Sequence, residues 1–170
     1  MPTKKATMRK AATKKPAKKR LATKQVAAHK SAGAKLATRT ITQSVTIRAT
    51  PVEVYDALVN AKKHAEFTGV PATSANKIGG KFTAWDGYIS GKYLKLEPGR
   101  KILEEWSTRD WPANFPPSVI ELTFAKADGG MRLSMLQTEV PAAQAANYRK
   151  GWKDYYWNPL KKYFAAKAKI

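Results

Sequence analysis

The first forty residues constrain the fold most strongly, because they contain no acidic and no aromatic side chain. They carry thirteen positive charges, whereas the other 130 residues hold 19 basic, all 12 acidic and all 17 aromatic side chains. Burial of so few large apolar groups does not offset about 1–2 kcal/mol of backbone entropy per ordered residue. The sequence therefore predicts a disordered Lys/Ala-rich basic tail over residues 1–40 and a folded domain over residues 41–167.

The basic tail is expected to bind a polyanion, and nucleic acid is the commonest polyanion in cells. Without aromatic side chains to stack on single-stranded bases, the tail favours duplex DNA or structured RNA, bound through phosphates with little sequence preference. The stretch ATKKPAKKR also resembles linker-histone tails in composition. The alternatives are a merely solvated segment or binding to acidic membranes. The predicted nucleic-acid-binding residues are Lys4, Lys5, Arg9, Lys10, Lys14, Lys15, Lys18, Lys19, Arg20, Lys24, Lys30, Lys35 and Arg39.

The sequence lacks the residues that several functional classes of protein require. The chain has no cysteine, and its two histidines, His29 and His64, lack a metal-binding spacing. No nucleophile elbow, phosphate loop or dinucleotide fingerprint occurs, and no apolar run approaches the ~20 residues that cross a bilayer. We expect a non-enzymatic protein without metal or cofactor and without membrane insertion. Its expected location is the cytoplasm, associated with the nucleoid, or the nucleus in a eukaryotic host.

The folded domain is predicted to begin with a strand and two short helices. Residues 41–48 alternate between apolar and polar side chains, as a half-buried strand does. Thr50 is a good N-cap, Pro51 suits the first helical position, and Glu53 completes a capping box. A second helix is predicted over residues 62–67. The apolar stripe of the first helix is predicted to be Val52, Tyr55, Leu58 and Val59.

From residue 75 onward, alternating runs separated by turns such as Asp86-Gly87 predict about six antiparallel strands. A bulge near Gly91 would bring Ile89, Leu94 and Leu96 to one face. Other strands align apolar residues without a bulge: Ile102, Glu104 and Trp106; Ile120, Leu122 and Phe124; and Met131, Leu133 and Met135.

The last predicted element is a helix of some 25 residues that begins at Pro141. Pro159 is expected to bend it near residues 155–158, because one backbone hydrogen bond is lost. This order of elements predicts an α+β fold in which the long helix covers one face of an antiparallel sheet. The predicted apolar face of the helix is Ala145, Tyr148, Trp152, Tyr155, Tyr156, Leu160 and Tyr163.

Residues 66–164 resemble the C-terminal domain of activators of the heat-shock protein 90 ATPase, a branch of the START-like, or SRPBCC, superfamily. The resemblance implies a helix-grip fold, in which a curved antiparallel sheet wraps around a long C-terminal helix. It also implies a cavity that accepts apolar ligands, and it adds a chaperone as an alternative partner. The stretches that carry the resemblance are FTGVPA (67–72), GGKFTAWDGYISG (79–91), LEPGRKILEEW (96–106), WP (111–112) and GWKDYYWNPLKKYF (151–164).

The interior of the grip is the predicted ligand pocket. Glu104 has the same strand parity as Trp106, so it is a candidate polar anchor for a ligand or an acid–base group. The alternatives are that Glu104 lies near the sheet edge or turns outward, and that the aromatic residues only fill the core. The predicted functions are therefore a nucleic-acid-associated binding protein, a carrier of an apolar small molecule or a modulator of a chaperone ATPase. The predicted pocket residues are Phe82, Trp85, Glu104, Trp106, Leu122, Phe124, Leu133, Met135, Trp152 and Tyr156.

Overall fold

The computed structural model describes residues 36–168, so the tail predictions for residues 1–35 lie outside the described residues. The described chain folds into seven strands, four α-helices and one π turn between the last two helices. The elements are β1 (Thr38–Ile47), α1 (Pro51–Val59), α2 (Ala61–Thr68), β2 (Thr73–Ser74), β3 (Lys81–Ala84), β4 (Ile89–Glu97), β5 (Lys101–Thr108), β6 (Ser118–Ala127), β7 (Gly130–Pro141), α3 (Ala145–Trp152), the π turn (Lys153–Trp157) and α4 (Asn158–Lys167).

The seven strands form one antiparallel sheet in the order β1-β7-β6-β5-β4-β3-β2. The first strand therefore pairs with the last one. The predicted helix-grip fold is confirmed. β1 begins three residues earlier than predicted, because Thr38 and Arg39 pair with Pro141 and Val140 of β7. Arg39, assigned to the tail from sequence, thus lies in the sheet.

The start of α1 follows the predicted capping box. The backbone N–H of Thr50 donates to Glu53 Oε2 at 2.8 Å, and the backbone N–H of Glu53 donates to Thr50 Oγ1 at 3.3 Å. These two hydrogen bonds satisfy N–H groups that a helix start leaves without partners. The predicted apolar stripe is wrong at Val52, which is 59% exposed. The buried face centres instead on Val54, one residue before Tyr55.

The predicted bulge in β4 lies at Leu94 rather than near Gly91. The pairing with β5 passes from Tyr93 opposite Glu104 to Lys95 opposite Leu103, so Leu94 is the extra residue. Tyr93 therefore replaces Leu94 on the buried face. Gly91 has a different role, because a Cβ there would lie 2.4 Å from the Phe82 ring and 2.1 Å from the Glu105 carbonyl oxygen.

The C-terminal helix begins at Ala145, not at Pro141. Pro141 remains in β7 because that strand continues to pair with the early start of β1. The region where Pro159 predicts a bend contains the π turn, in which the backbone N–H of Asn158 donates to the carbonyl of Lys153, five residues back. A π turn inserts one extra residue into a helix, so the helical face shifts after it.

This shift changes which side chains are buried. Trp152 and Trp157 stack with ring centroids 5.3 Å apart and an angle of 16° between their planes. In a regular α-helix, residues five apart point about 140° away from each other. The predicted apolar face is therefore wrong at Tyr155, which is 57% exposed, whereas Trp157 and Phe164, absent from that prediction, are buried.

Two glutamine side chains attach this helix to the sheet. The Trp152 indole N–H donates to Gln137 Oε1 on β7 at 2.8 Å, and Gln137 Nε2 donates to Ser118 Oγ on β6 at 2.9 Å. The Trp157 indole N–H donates to Gln43 Oε1 on β1 at 2.7 Å. Gln43 Nε2 in turn donates to the carbonyl of Arg149 at 2.8 Å. These hydrogen bonds connect the helix to β1, β6 and β7, and each of the polar groups involved has a hydrogen-bond partner.

Replacing Gln137 with leucine is expected to lower the free energy of unfolding by about 1–3 kcal/mol, because it leaves the buried Trp152 N–H without an acceptor. Urea denaturation measures this change. The matched control is Gln144→Leu, which removes a hydrogen bond from Nε2 to the Asp110 carbonyl at a more exposed position. Equal losses in the two variants would contradict the importance of the buried contact.

Candidate functional site

The helices and the sheet enclose a small internal cavity. Its volume is about 30 Å³, enough for about one or two water molecules. A drug-sized ligand needs roughly 300–1,000 Å³, so this cavity accommodates only a small group. Most of the remaining lining is apolar, and the lining side chains that carry polar atoms are His64, Thr73, Ser74, Thr83, Tyr93, Glu104, Trp106, Trp152 and Tyr156.

Glu104 lies on the inward face of β5, as its parity with Trp106 predicts. It is 8% exposed and lines the internal cavity. Its neighbours across the strands are Tyr93 and Ile120, and neither brings a positive charge. Burial without a cation raises the pKa of Glu104 to about 8. The carboxyl group is therefore protonated and neutral at pH 7.

His64 of α2 lines the same cavity and is 7% exposed. Its ring packs against Phe67 and Tyr156, with ring centroids 4.9 Å and 5.6 Å apart. Its Nδ1 is buried and has no hydrogen-bond partner among residues 36–168. Burial lowers the pKa of His64 to about 4, so the imidazole is neutral at pH 7. The sequence analysis missed this position. The available signal was the spacing of three between His64 and Phe67, which puts both on one helical face.

Two phenol groups complete the polar lining of the cavity. The Tyr93 hydroxyl lies 3.1 Å from Ser74 Oγ. Burial, together with the nearby Glu104, raises the pKa of both Tyr93 and Tyr156 well above the usual value. All four titratable groups in the cavity are thus uncharged at neutral pH, although each can make hydrogen bonds.

A second, larger cavity reaches the surface beside the first one. We call it the aromatic cleft, and its volume is about 520 Å³. It lies between the turn over residues 85–88, the end of β5 and the helix near the π turn. Its size falls in the range of small-molecule sites. The aromatic side chains that line it are Trp85, Tyr88, Trp106, Tyr148, Trp152, Tyr155 and Tyr156.

The turn between β3 and β4 places Trp85 in the cleft. Trp85 and Asp86 both have left-handed backbone conformations, with φ values of 55° and 54°. Such conformations are costly for residues other than glycine. The backbone N–H of Asp86 donates to the Pro71 carbonyl at 3.0 Å, and the Trp85 ring lies 5.3 Å from that of Tyr155. These contacts hold the ring against the helix.

The ten residues predicted for the pocket separate into four groups. Phe82, Glu104 and Leu122 line the internal cavity, and Trp85 lines the aromatic cleft. Phe124, Leu133 and Met135 line neither cavity and are buried in the core. The side chains that line both cavities, and so form the wall between them, are Trp106, Trp152 and Tyr156.

Within residues 36–168, no three His, Asp or Glu side chains come together in a way that could hold a metal ion. None of the helices formed by these residues has the length and apolarity needed to cross a bilayer.

Residues 48–165 match a protein-family model described as Activator of Hsp90 ATPase homolog 1-like protein. The human activator of 90 kDa heat shock protein ATPase homolog 1 is 33% identical over 138 residues, which are 81% of this chain and 40% of the human protein. A homologue from Dictyostelium discoideum, with the same type of name, is 30% identical over 138 residues, covering 80% of this chain and 36% of that protein. This chain therefore spans well under half the length of these relatives.

Solved structures show the same fold. The crystal structure of an HSP90 activator from Plasmodium falciparum has a TM-score of 0.62 at 23% identity, covering 70% of this chain and 89% of that one. The solution structure of an Aha1 dimer from Colwellia psychrerythraea has a TM-score of 0.62 at 15% identity, covering 72% of this chain and 96% of that one.

The stability of the folded chain is expected to fall between pH 6.5 and pH 8. In this range folded Glu104, with its pKa raised to about 8 from 4.5, retains a proton that the unfolded chain has released. The folding equilibrium constant then falls by up to about tenfold per pH unit. Between pH 4.5 and 6.5, His64 acts in the opposite direction, because its pKa is lowered to about 4 from 6.5.

Urea midpoints measured from pH 5 to 9 test this expectation. Glu104→Gln should flatten the profile above pH 6.5. Glu105→Gln is the matched control, because Glu105 is the next residue on β5 and its Oε2 lies 3.1 Å from Lys92 Nζ near the surface. An unchanged slope in Glu104→Gln would contradict the assignment to Glu104.

Proposed function

Because the chain belongs to the Activator of Hsp90 ATPase homolog 1-like protein family, we propose that it is a non-catalytic binding protein with two binding parts. The aromatic cleft binds an apolar small molecule, and the basic tail over residues 1–40 binds nucleic acid. The tail holds the protein on a nucleoid or chromatin, and the cleft supplies a specific ligand site.

The proposal that the cleft binds a small molecule depends on one observation: the cleft is lined by aromatic side chains and is large enough for such a ligand. A cavity of about 520 Å³ accepts a small molecule, and aromatic side chains dominate the energetics of such sites. The side chain of Tyr155 is 57% exposed. An apolar ligand that covers this ring gains roughly 25 cal/mol per Å² of apolar surface removed from water.

Replacing Trp85 with alanine is expected to weaken binding of the uncharged dye Nile red by about tenfold, because the ring forms one wall of the cleft. Dye fluorescence during titration with the full-length protein measures the affinity. The matched control is Ile78→Ala, since Ile78 is 64% exposed and lines a different surface pocket. Equal affinities for the wild type and both variants would rule out the cleft as the binding site.

The positive charge of the basic tail supports the proposal that this segment binds nucleic acid. Twelve of the thirteen cations precede residue 36, and Arg39 is exposed on β1. Cations on such a segment gain affinity by releasing counterions from phosphates, and this gain decreases steeply with salt.

A variant that begins at Thr38, and so retains β1, is expected to lose retardation of duplex DNA in gel-shift assays. For the full-length protein, engagement of six to ten phosphates should reduce affinity by about 10³–10⁵ between 50 and 200 mM salt. Thermal unfolding of the truncated variant checks that the domain still folds. If the truncated protein binds DNA as tightly as the full-length protein at equal salt, the tail is not the binding segment.

Modulation of an Hsp90-type ATPase is the second candidate function. It is favoured by the 33% identity to a human protein named as an activator of this ATPase. The alignment covers 40% of that protein, so the activity is carried over to this chain only as a proposal. It predicts that saturating full-length protein raises the ATP turnover of an Hsp90-type chaperone from the same host. Unchanged turnover would remove this candidate.

A further inference from the structure

The internal cavity brings together two buried polar side chains whose hydrogen-bonding capacity is unused. The Nδ1 of His64 has no partner within the described residues. The carboxyl group of Glu104 is not hydrogen-bonded to any described side chain or backbone group, and its raised pKa has burial as its cause. Buried polar groups without partners are costly, and native proteins rarely keep them without a reason. One such atom, His64 Nδ1, in the same cavity as a buried carboxyl group without a cation points to an occupant.

The polar groups of the internal cavity indicate which kind of ligand group binds there. The cavity presents a carboxyl group, an imidazole that is neutral at pH 7 and the phenol oxygens of Tyr93 and Tyr156. All of these accept hydrogen bonds when Glu104 is ionised. An anion would meet no positive charge, because the lining contains no lysine or arginine. A neutral hydroxyl would provide one donor, whereas an ammonium group provides three donors and a charge for the carboxylate.

We propose that the internal cavity is a subsite for the primary ammonium group of an apolar amine, with Glu104 as its counter-ion and His64 as a neutral hydrogen-bond acceptor. This inference rests on the proposed binding function and adds the polar group of the ligand. The cavity volume of about 30 Å³ suits a group of this size. The apolar body of the amine lies in the aromatic cleft.

The wall between the two cavities makes this arrangement feasible. Trp106, Trp152 and Tyr156 line both cavities, so a shift of one of these rings connects them. Trp152 is tied to Gln137 by its indole N–H, whereas the Tyr156 hydroxyl interacts with the side chain of Trp85, which lies in the turn between β3 and β4. Tyr156 lies in the π turn and is the ring expected to move.

Binding is coupled to release of a proton. Before the amine binds at pH 7, Glu104 is protonated, and the titratable groups that face it are neutral: His64 on α2, Tyr93 on β4 and Tyr156 in the π turn. When an amine arrives as R–NH₃⁺, the Glu104 carboxyl transfers its proton to solvent and becomes the carboxylate. No other group changes its charge.

Calorimetric titration of the full-length protein with 2-phenylethylamine tests the proposal, with 2-phenylethanol as the neutral analogue of almost the same shape. The amine affinity is expected to rise up to tenfold per pH unit from pH 6 to pH 8, because one proton is released on binding. Titrations in buffers with different ionisation enthalpies count that proton. The affinity for the alcohol should not change with pH.

The Glu104→Gln variant should lose at least tenfold in amine affinity and all of the pH dependence, whereas any change in its affinity for the alcohol should be smaller than the change for the amine. If the wild type binds the amine no better than the alcohol, or releases no proton, the ammonium subsite is overturned, and the cavity holds only water. Alcohol binding that depends on Trp85 would in that case still support the aromatic cleft as a binding site for apolar molecules. If the alcohol also fails to bind, the proposal that the cleft binds such molecules is overturned as well.

Discussion

The hydrogen bonds from two tryptophan indoles to two glutamine side chains determine how the C-terminal helix lies on the sheet. Gln137 accepts from Trp152, and Gln43 accepts from Trp157. Both bonds need the two rings on the same side of the helix, and only the π turn between them provides this. The fixed position of the helix in turn sets the wall that divides the internal cavity from the aromatic cleft.

The sequence predicted those parts of the fold that depend on local regularity. Strict alternation predicted the inward position of Glu104, and the Thr50–Glu53 capping box predicted the start of α1. Two of the errors lie where one residue is added to a regular element, at Leu94 in β4 and in the π turn. Periodicity does not reveal such additions, because they are stabilised by tertiary contacts, here with Glu104 and its neighbours on β5 and with Gln43 on β1.

The candidate site was harder to predict than the fold because its members come from separated elements. Glu104 was identified because it interrupts an apolar strand face. His64 was missed because nearby lysines and a short helix give it the appearance of a surface residue. In place of one expected ligand pocket, the structure has a small internal cavity that contains several polar groups and a larger aromatic cleft. This division suggests a ligand with one small polar end and a larger apolar body.

The π turn also affects how related chains are compared. It acts as a single-residue insertion, so the segments before and after it follow different helical frames. An ungapped alignment with a relative that lacks the insertion would match Trp157 and Phe164 to solvent-facing positions. The correspondence of residues across this helix is therefore best established by superposition in two halves, hinged between Lys153 and Asn158.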